Sequence, residues 1–387
     1  MAKPGTHHYR RTGFTWLAYG LLGYFAYLQT IWGPLVPLLR NELDLNYTMG
    51  GFHATAFALG MFTAGLLSDS IAARIGDRRS LWVGSGGMAL GALLLVTAAS
   101  IYATLLSALL MGLFGTVMLI MIQAGLSNEH GSLRAIALSE ANMLAYIAST
   151  AAPLFISFVV AIGIGWRGAL VMPVIAWVLL RLTHQQRDFP SAAPNSDLSR
   201  KTPFPIMFWI IWLGLVLSVA AEWSVTFWTA DFLIRLFNLE TSIAAASLAV
   251  FTTFGVLGRW AASRLAKHFT ERRLLINMLV LAFSGAFIFW ISRQAVLSFL
   301  GLALVGFGLA NAYPLGVATL MRIAPEQANR ISARASLGAA VAILIAPQAI
   351  GIIADAMNID TAYGIVPLLI LAALALTMLS SAREQHM

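Results

Sequence analysis

The chain has 387 residues, of which 59% are hydrophobic and only 10% are charged. Because a soluble domain of ordinary composition is about 25% charged, this composition excludes a globular protein with a fully water-covered surface. The formal net charge is +8 and the mean hydropathy is +0.81, while the lack of cysteine excludes disulfides, thiolate metal sites and cysteine nucleophiles.

Apolar stretches, most of them near the length of a membrane helix, recur along the whole chain. A helix of about 20 residues crosses the hydrocarbon core of a bilayer, whereas barrel strands would be about ten residues long with strict alternation. The basic start runs into the first stretch without a clear cleavage site, which predicts an uncleaved start-transfer helix. We therefore predict an all-α membrane protein. Its twelve helices span residues 13–37, 48–72, 80–99, 102–126, 133–163, 167–184, 204–234, 242–266, 273–292, 295–320, 329–355 and 361–381.

One polar stretch of length interrupts this pattern, and it lies at the middle of the chain. Residues 185–203 are rich in Pro, Ser and Asp, which is typical of a linker. We predict that they form a cytoplasmic linker between two pseudo-symmetric six-helix bundles, an N-terminal bundle of residues 1–184 and a C-terminal bundle of residues 204–387.

The basic residues give an independent test of the helix count. With the N-terminus in the cytoplasm, all but four of the 24 Lys and Arg residues fall in cytoplasmic segments. The exceptions are Arg40, Arg167, Arg235 and Arg293. The positive-inside rule predicts this bias, and it explains the net charge without a nucleic-acid partner. We expect both termini in the cytoplasm and a multi-pass protein of the inner (plasma) membrane.

An internal repeat links residues 69–81 with residues 263–275, at a spacing of 194 residues. Both segments end one helix, turn, and open the next helix with an acidic residue and an arginine pair. These triplets are Asp77-Arg78-Arg79 and Glu271-Arg272-Arg273. Chance similarity between basic loops is the alternative, but the two segments occupy the same place in each predicted half.

The first of these loops carries a known signature, formed here by Gly65, Asp69, Arg74, Gly76, Arg78 and Arg79. In it the chain resembles the major facilitator superfamily, whose signature between helices 2 and 3 reads G-x-x-x-D-R-x-G-R-R/K. The spacing after Asp69 differs by about four residues, which is one helical turn and keeps the same helix face. The resemblance covers essentially the full length. It implies a secondary transporter in which helices 1, 4, 7 and 10 line a central cavity.

Other functional classes lack their motifs. The sequence has no phosphate-cradling G-x-x-x-x-G-K-S/T, no histidine cluster inside its helices and no catalytic constellation. We therefore predict that the chain is neither an ATP-driven pump nor an enzyme, and that it holds no cofactor and no metal.

A charged side chain inside a membrane helix is costly and is expected to face a cavity or a partner. We predict that Glu222 on helix 7 is a substrate-binding or proton-accepting carboxylate in the central cavity. A structural ion pair, or a carboxyl held neutral by a hydroxyl, is the alternative. The other candidates are polar and aromatic residues that also suit helix packing: Trp228, Tyr24, Tyr27, Gln123, Asn142, Tyr146, Asn311 and Tyr313.

A second charged set lies where the resemblance places helix 5 beside helix 8 and helix 2 beside helix 11. We predict a cytoplasmic gate of ion pairs that is shut in the outward-open state and parts on opening inward. Its candidate residues are Asp69, Arg74, Arg78, Glu140, Arg259, Arg264, Arg330 and Arg334. We expect Glu140 to reach Arg259 or Arg264, and Asp69 to reach Arg330 or Arg334. A static ion pair within one half is the alternative.

The convergence of polar and aromatic residues favours uptake of a small polar metabolite by alternating access, with Glu222 or Glu140 as the hypothetical proton carrier. Export of drugs or amphiphiles is the alternative. Drug/proton antiporters of the superfamily carry G-x-x-x-G-P-x-x-G-G on helix 5, where this chain reads Ala148-Ser-Thr-Ala-Ala-Pro153. A membrane sensor or intramembrane enzyme is a remote alternative, since no loop is long enough for a soluble domain. We expect a monomer whose partners are its solute, protons and lipid.

Overall fold

The computed structural model describes residues 9–184, 189–190 and 203–384, and every regular element in these residues is a helix. The predicted linker, residues 185–203, lies outside the described residues except for positions 189, 190 and 203. The helices are α1 (Gly13–Thr30), α2 (Trp32–Leu43), α3 (Tyr47–Ile75), α4 (Asp77–Thr97), α5 (Ile101–His130), α6 (Arg134–Ala161), α7 (Gly168–His184), α8 (Ile206–Phe237), α9 (Thr241–Leu265), α10 (Glu271–Ile291), α11 (Ala295–Leu309), α12 (Ala312–Ile323), α13 (Ala328–Ala356), α14 (Ile359–Ala362) and α15 (Ile365–Glu384).

Within these residues, nine helical stretches are long and apolar enough to cross a membrane. Eight of them contain 21 to 32 residues, and the ninth, Ile101–Ala161, contains 61 residues and includes both α5 and α6. α7 is a shorter apolar helix of 17 residues. The prediction of an all-α multi-pass membrane protein is confirmed, and the count of twelve crossings stays a prediction.

The first and tenth predicted helices are each broken into two, which corrects their predicted course. The breaks fall between α1 and α2 and between α11 and α12. Pro34 and Pro314 follow the breaks, and proline has no N–H to donate to the carbonyl four residues earlier. The carbonyl groups of Thr30 and Ala310 therefore lose their helical donors.

The repeat seen in the sequence extends over four helices. Helix starts lie 194 residues apart at α3 and α9 (47 and 241), α4 and α10 (77 and 271), α5 and α11 (101 and 295), and α6 and α13 (134 and 328). The packing repeats as well. A Cβ on Gly112 would collide with the backbone of Phe57, and a Cβ on Gly306 would collide with the backbone of Phe251, again 194 residues on. Both pairs need glycine because two helix backbones touch there.

The bundle has two ends, which we name by the path of the chain. The N-terminal face is the end at which α1 begins, where the hydroxyl of Thr12 donates to Glu129 on α5 over 2.5 Å. At the opposite end, the far face, Arg167 pairs with Glu42 at 2.5 Å. α1 lies at the centre, and 13 of its 18 residues are buried.

Contacts between distant parts of the chain close the far face. Arg40 at the end of α2 pairs with Asp231 on α8, and its guanidinium carbon lies 3.5 Å from the ring centroid of Tyr47. Asp355 near the end of α13 accepts the backbone N–H groups of Tyr47 and Thr48, over 2.9 and 2.7 Å, at the start of α3. These contacts join α2 and α3 to α8 and α13.

Candidate functional site

A cavity of about 290 Å³ lies at the centre of the bundle, between α1, α5 and α6 on one side and α8, α9 and the α11–α12 break on the other. Its volume lies at the small end of the range for small-molecule sites. Its polar lining residues are Gln29, Thr30, Gln123, Asn142, Tyr146, Ser149, Glu222, Thr226 and Thr252, and its aromatic ones are Phe25, Trp223 and Phe251 in addition to Tyr146. The cavity therefore suits a small solute with hydrogen-bonding groups.

Glu222 is the acidic residue of this lining. It lies at the middle of the 32-residue α8, where a charge is expensive unless it faces a cavity or a partner. The carboxylate of Glu222 makes no hydrogen bond or ion pair to another described residue, and it faces the cavity. It is thus free to meet a solute or a proton.

Three more predicted residues share this cavity with Glu222. Gln123 on α5 and Asn142 and Tyr146 on α6 all line it. The ring of Tyr146 also supports Arg259, whose guanidinium carbon lies 4.2 Å from the ring centroid. A cation in contact with one lining residue therefore lies beside the cavity, whose lining also holds the Glu222 carboxylate.

Two predicted residues of α1 lie elsewhere. Tyr24 and Tyr27 are buried, and their hydroxyl groups donate to the carbonyls of Ser85 and Ala169 over 3.5 and 2.8 Å. A buried tyrosine needs such an acceptor, so these contacts explain both side chains by helix packing. The structure does not bring either side chain to the cavity.

The same correction applies to three predicted residues of the C-terminal part. The indole N–H of Trp228 donates to the carbonyl of Pro347 over 2.8 Å. The side-chain amide of Asn311 donates to the carbonyl of Phe307 over 3.0 Å. Tyr313 packs beside a small apolar cluster on α3, α8 and α13. None of the three is among the residues that line the cavity.

Several lining residues were not predicted, although helical spacing indicates some of them. Thr226 lies one turn after Glu222, and Ser149 lies three residues after Tyr146, so each shares a helix face with a predicted residue. Thr252 lines the cavity from α9, and Gln29, one of the polar residues that the sequence offers on helix 1, lines it from α1. Their positions depend on how those helices rotate in the bundle, which one sequence does not determine.

The two helix breaks, α1–α2 and α11–α12, add backbone groups to the cavity lining. Thr30 and Ala310, the residues whose carbonyls lost their donors to Pro34 and Pro314, both line the cavity. Unwound backbone is tolerated at membrane depth where it lines a cavity, and transporters use such carbonyls to coordinate cations.

Glu140, a predicted gate residue, pairs within its own part of the chain. Its carboxylate accepts from Arg11 at 2.6 Å and from the hydroxyl of Tyr19 at 2.8 Å. It does not pair with Arg259 or with Arg264, which is exposed beside Trp260. This finding corrects the expected pairing for the conformation described here.

The second predicted gate pair is also apart. Asp69 is exposed and forms no ion pair with another described residue. Arg330 bonds the side chain of Gln327 and lies 4.7 Å from the ring centroid of Phe204, while Arg334 is exposed. Of the signature arginines, Arg74 is exposed and Arg78 is partly buried. The contacts at the far face are formed, whereas the two predicted ion pairs at the N-terminal face are not. A latch of ion pairs at the N-terminal face therefore stays a prediction for another conformation.

Comparison with known proteins places these features in a family context. The family model described as Major Facilitator Superfamily matches residues 15–347. An uncharacterized MFS-type transporter of Yersinia pestis is 26% identical over 363 residues, which cover 89% of this chain and 90% of that protein.

Solved structures share the fold at lower identity. A D-xylose–proton symporter aligns with a TM-score of 0.77 and 14% identity, over 94% of this chain and 96% of that chain. A bacterial homolog to the human lysosomal transporter Spinster, in an inward-facing and occupied conformation, aligns with a TM-score of 0.76 and 16% identity, over 95% and 96%.

Proposed function

The chain belongs to the Major Facilitator Superfamily, a family of membrane transporters rather than enzymes, and from that premise we propose that it is a secondary transporter. It moves a small solute across the inner membrane by alternating access. The observation that carries the proposal is the central cavity. It holds Glu222, whose carboxylate has no hydrogen bond or ion pair to another described residue, while the far face beyond it is closed. A site at mid-depth with one closed end is what alternating access requires.

We propose uptake of a polar metabolite, with Glu222 as the residue that binds the solute or accepts the coupling proton. The polar lining of the cavity supports this, because each polar group at membrane depth needs a partner. The aromatic lining residues Phe25, Trp223 and Phe251 favour a second candidate, export of drugs or amphiphiles against protons.

The proposed architecture is two six-helix bundles, residues 1–184 and 204–387, joined by a cytoplasmic linker. The repeat of four helix starts at 194 residues supports it. If Ile101–Ala161 crosses twice, the nine stretches account for ten crossings. One crossing by α1–α2 and one by α7 then bring the total to twelve. The bias of Lys and Arg supports an N-terminal face in the cytoplasm. We propose a monomer, since the cavity is complete within one chain.

The proposal is tested by a thermal-shift screen of the purified chain, followed by uptake into proteoliposomes. The probes are xylose, succinate, glutamate, uridine and the cationic dye ethidium. A solute that binds only the folded protein raises its melting temperature. Glu222→Gln tests the site, and Glu240→Gln, an exposed acid at the far face, is the matched control.

We expect a polar probe to raise the melting temperature of the wild type and of the Glu240→Gln protein, and both proteins to take it up. Glu222→Gln is expected to lower the affinity for that probe at least about tenfold, the worth of one charge-assisted hydrogen bond. A response to ethidium alone would support export instead. A folded wild type that accumulates none of the probes would contradict the proposed transport of small solutes.

A further inference from the structure

Arg259 lies beside the cavity, in contact with the lining residue Tyr146 but not itself among the lining residues, a position that the sequence did not predict for it. It lies one helical turn after Gly255, whose backbone lines the cavity, on the same face of α9. The Tyr146 ring, which also lines the cavity, holds the guanidinium by a cation–π contact of 4.2 Å. Because α9 runs towards the N-terminal face, Arg259 lies on that side of Gly255.

The hydrogen bonding of Arg259 is incomplete. Its Nε atom is buried and has no partner within the described chain, although buried polar groups are almost always bonded. The nearby acids do not fill this gap. Glu140 is taken by Arg11, and no ion pair within 4.0 Å joins Arg259 to Glu222.

We infer that Arg259 is the anion-binding residue of the cavity and that the solute carries a carboxylate group. This inference rests on the proposed transport function and names its substrate class. A guanidinium presents Nε–H and a terminal N–H as a planar fork that matches a carboxylate. The carboxylate supplies the missing acceptor for Nε, whereas a neutral sugar brings no charged acceptor to it.

The acceptor groups of the cavity lining indicate what the rest of the solute carries. Glu222 and the freed carbonyls of Thr30 and Ala310 are all acceptors. They match hydroxyl or ammonium donors on the solute. A small hydroxy acid or amino acid combines a carboxylate with such donors, and its size fits a cavity of about 290 Å³.

The test is uptake of charge-matched probe pairs by the full chain in proteoliposomes. Lactate is compared with lactamide, succinate with succinamide, and glutamate with glutamine, and phosphate and xylose complete the panel. The variants are Arg259→Gln, which removes the charge, and Arg259→Lys, which keeps the charge but loses the fork. Arg273→Gln is the control, because Arg273 is an exposed arginine that also stacks on an aromatic ring, that of Phe269. Melting temperatures verify that each variant is folded.

We expect one acid to enter at least tenfold faster than its amide, and Arg259→Gln to lower that rate by about tenfold to a hundredfold. Arg259→Lys is expected to take up the acid at a rate between those of the wild type and Arg259→Gln, and Arg273→Gln is expected to match the wild type. Phosphate uptake without acid uptake would overturn the assignment of a carboxylate. Uptake of xylose or an amide that Arg259→Gln leaves unchanged would overturn the inference while the proposed transport stands. No uptake of any probe by folded wild type would contradict both.

Discussion

Tyr146 has two contacts at once, since its ring lines the cavity and also supports the guanidinium of Arg259 at 4.2 Å. The cation–π contact uses the ring face, which a phenylalanine at this position would keep. The position of the anion-binding group therefore depends on an aromatic ring at this place in α6.

We predict that Tyr146→Phe keeps the affinity for the transported acid within about twofold, whereas Tyr146→Ala lowers it by about two- to thirtyfold, the range of one cation–π contact. The measurement is the ligand-induced rise in melting temperature. Tyr102→Ala is the control, because Tyr102 is 81% exposed and lies away from the cavity. Equal losses for Tyr146→Phe and Tyr146→Ala would assign the effect to the hydroxyl and contradict the stacking role.

What the sequence can predict at this scale depends on the kind of side chain. Glu222 stands out because a carboxylate at mid-helix is rare and costly, and it does line the cavity. Tyr27 and Trp228 are equally good candidates from the sequence, yet carbonyls of neighbouring helices accept their hydrogen bonds. An aromatic polar group can be satisfied by any nearby backbone, so its role follows only from the packed structure.

At the scale of helices, α11 and α12 are separated because Pro314 removes the donor for the carbonyl of Ala310. The sequence indicates this break, since a proline within an apolar stretch is visible without a structure. The rotation that brings Ala310 to the cavity is not visible, because it depends on the packing of α11 against α9 and α10. The helix starts are better determined, as their 194-residue repeat follows the turn residues.

We predict that Pro314→Ala lets the helix run on and restores a donor to the Ala310 carbonyl. Loss of that carbonyl as a solute acceptor is expected to lower uptake by about two- to tenfold, the worth of one neutral hydrogen bond, without lowering the melting temperature. Pro173→Ala is the control, because Pro173 lies inside the continuous helix α7, away from the cavity. Unchanged uptake with Pro314→Ala would show that the break does not serve the solute.

For the whole molecule, the contacts at the far face define which of two conformations the structure represents. Asp355 joins the start of α3 to the end of α13, and the Arg40–Asp231 pair joins α2 to α8. The predicted ion pairs between Asp69 and the arginines of α13 are absent at the other end. A transporter that alternates must break the contacts at the far face when the ion pairs at the N-terminal face form, because the two halves move as rigid bodies.

We predict that Asp355→Ala shifts the protein towards a conformation that is open at the far face. The loss of two carboxylate hydrogen bonds at an exposed site is expected to change that equilibrium by about three- to tenfold. Because the chain has no cysteine, a cysteine in place of Thr226, which lines the cavity, is the sole target for a membrane-impermeant maleimide. Its labelling in intact cells is expected to rise by the same factor.

Three further variants make this result decisive. Glu240→Ala removes an exposed acid at the far face and is expected to leave the labelling of Thr226→Cys unchanged. Ser100→Cys, in the turn before α5, is expected to react in intact cells, and Ser132→Cys, in the turn before α6, only after lysis. The reverse order for the two serines would place the N-terminal face outside and overturn the proposed orientation. If the two serine variants react in the expected order but Asp355→Ala does not raise the labelling of Thr226→Cys, the Asp355 contacts do not hold the far face shut.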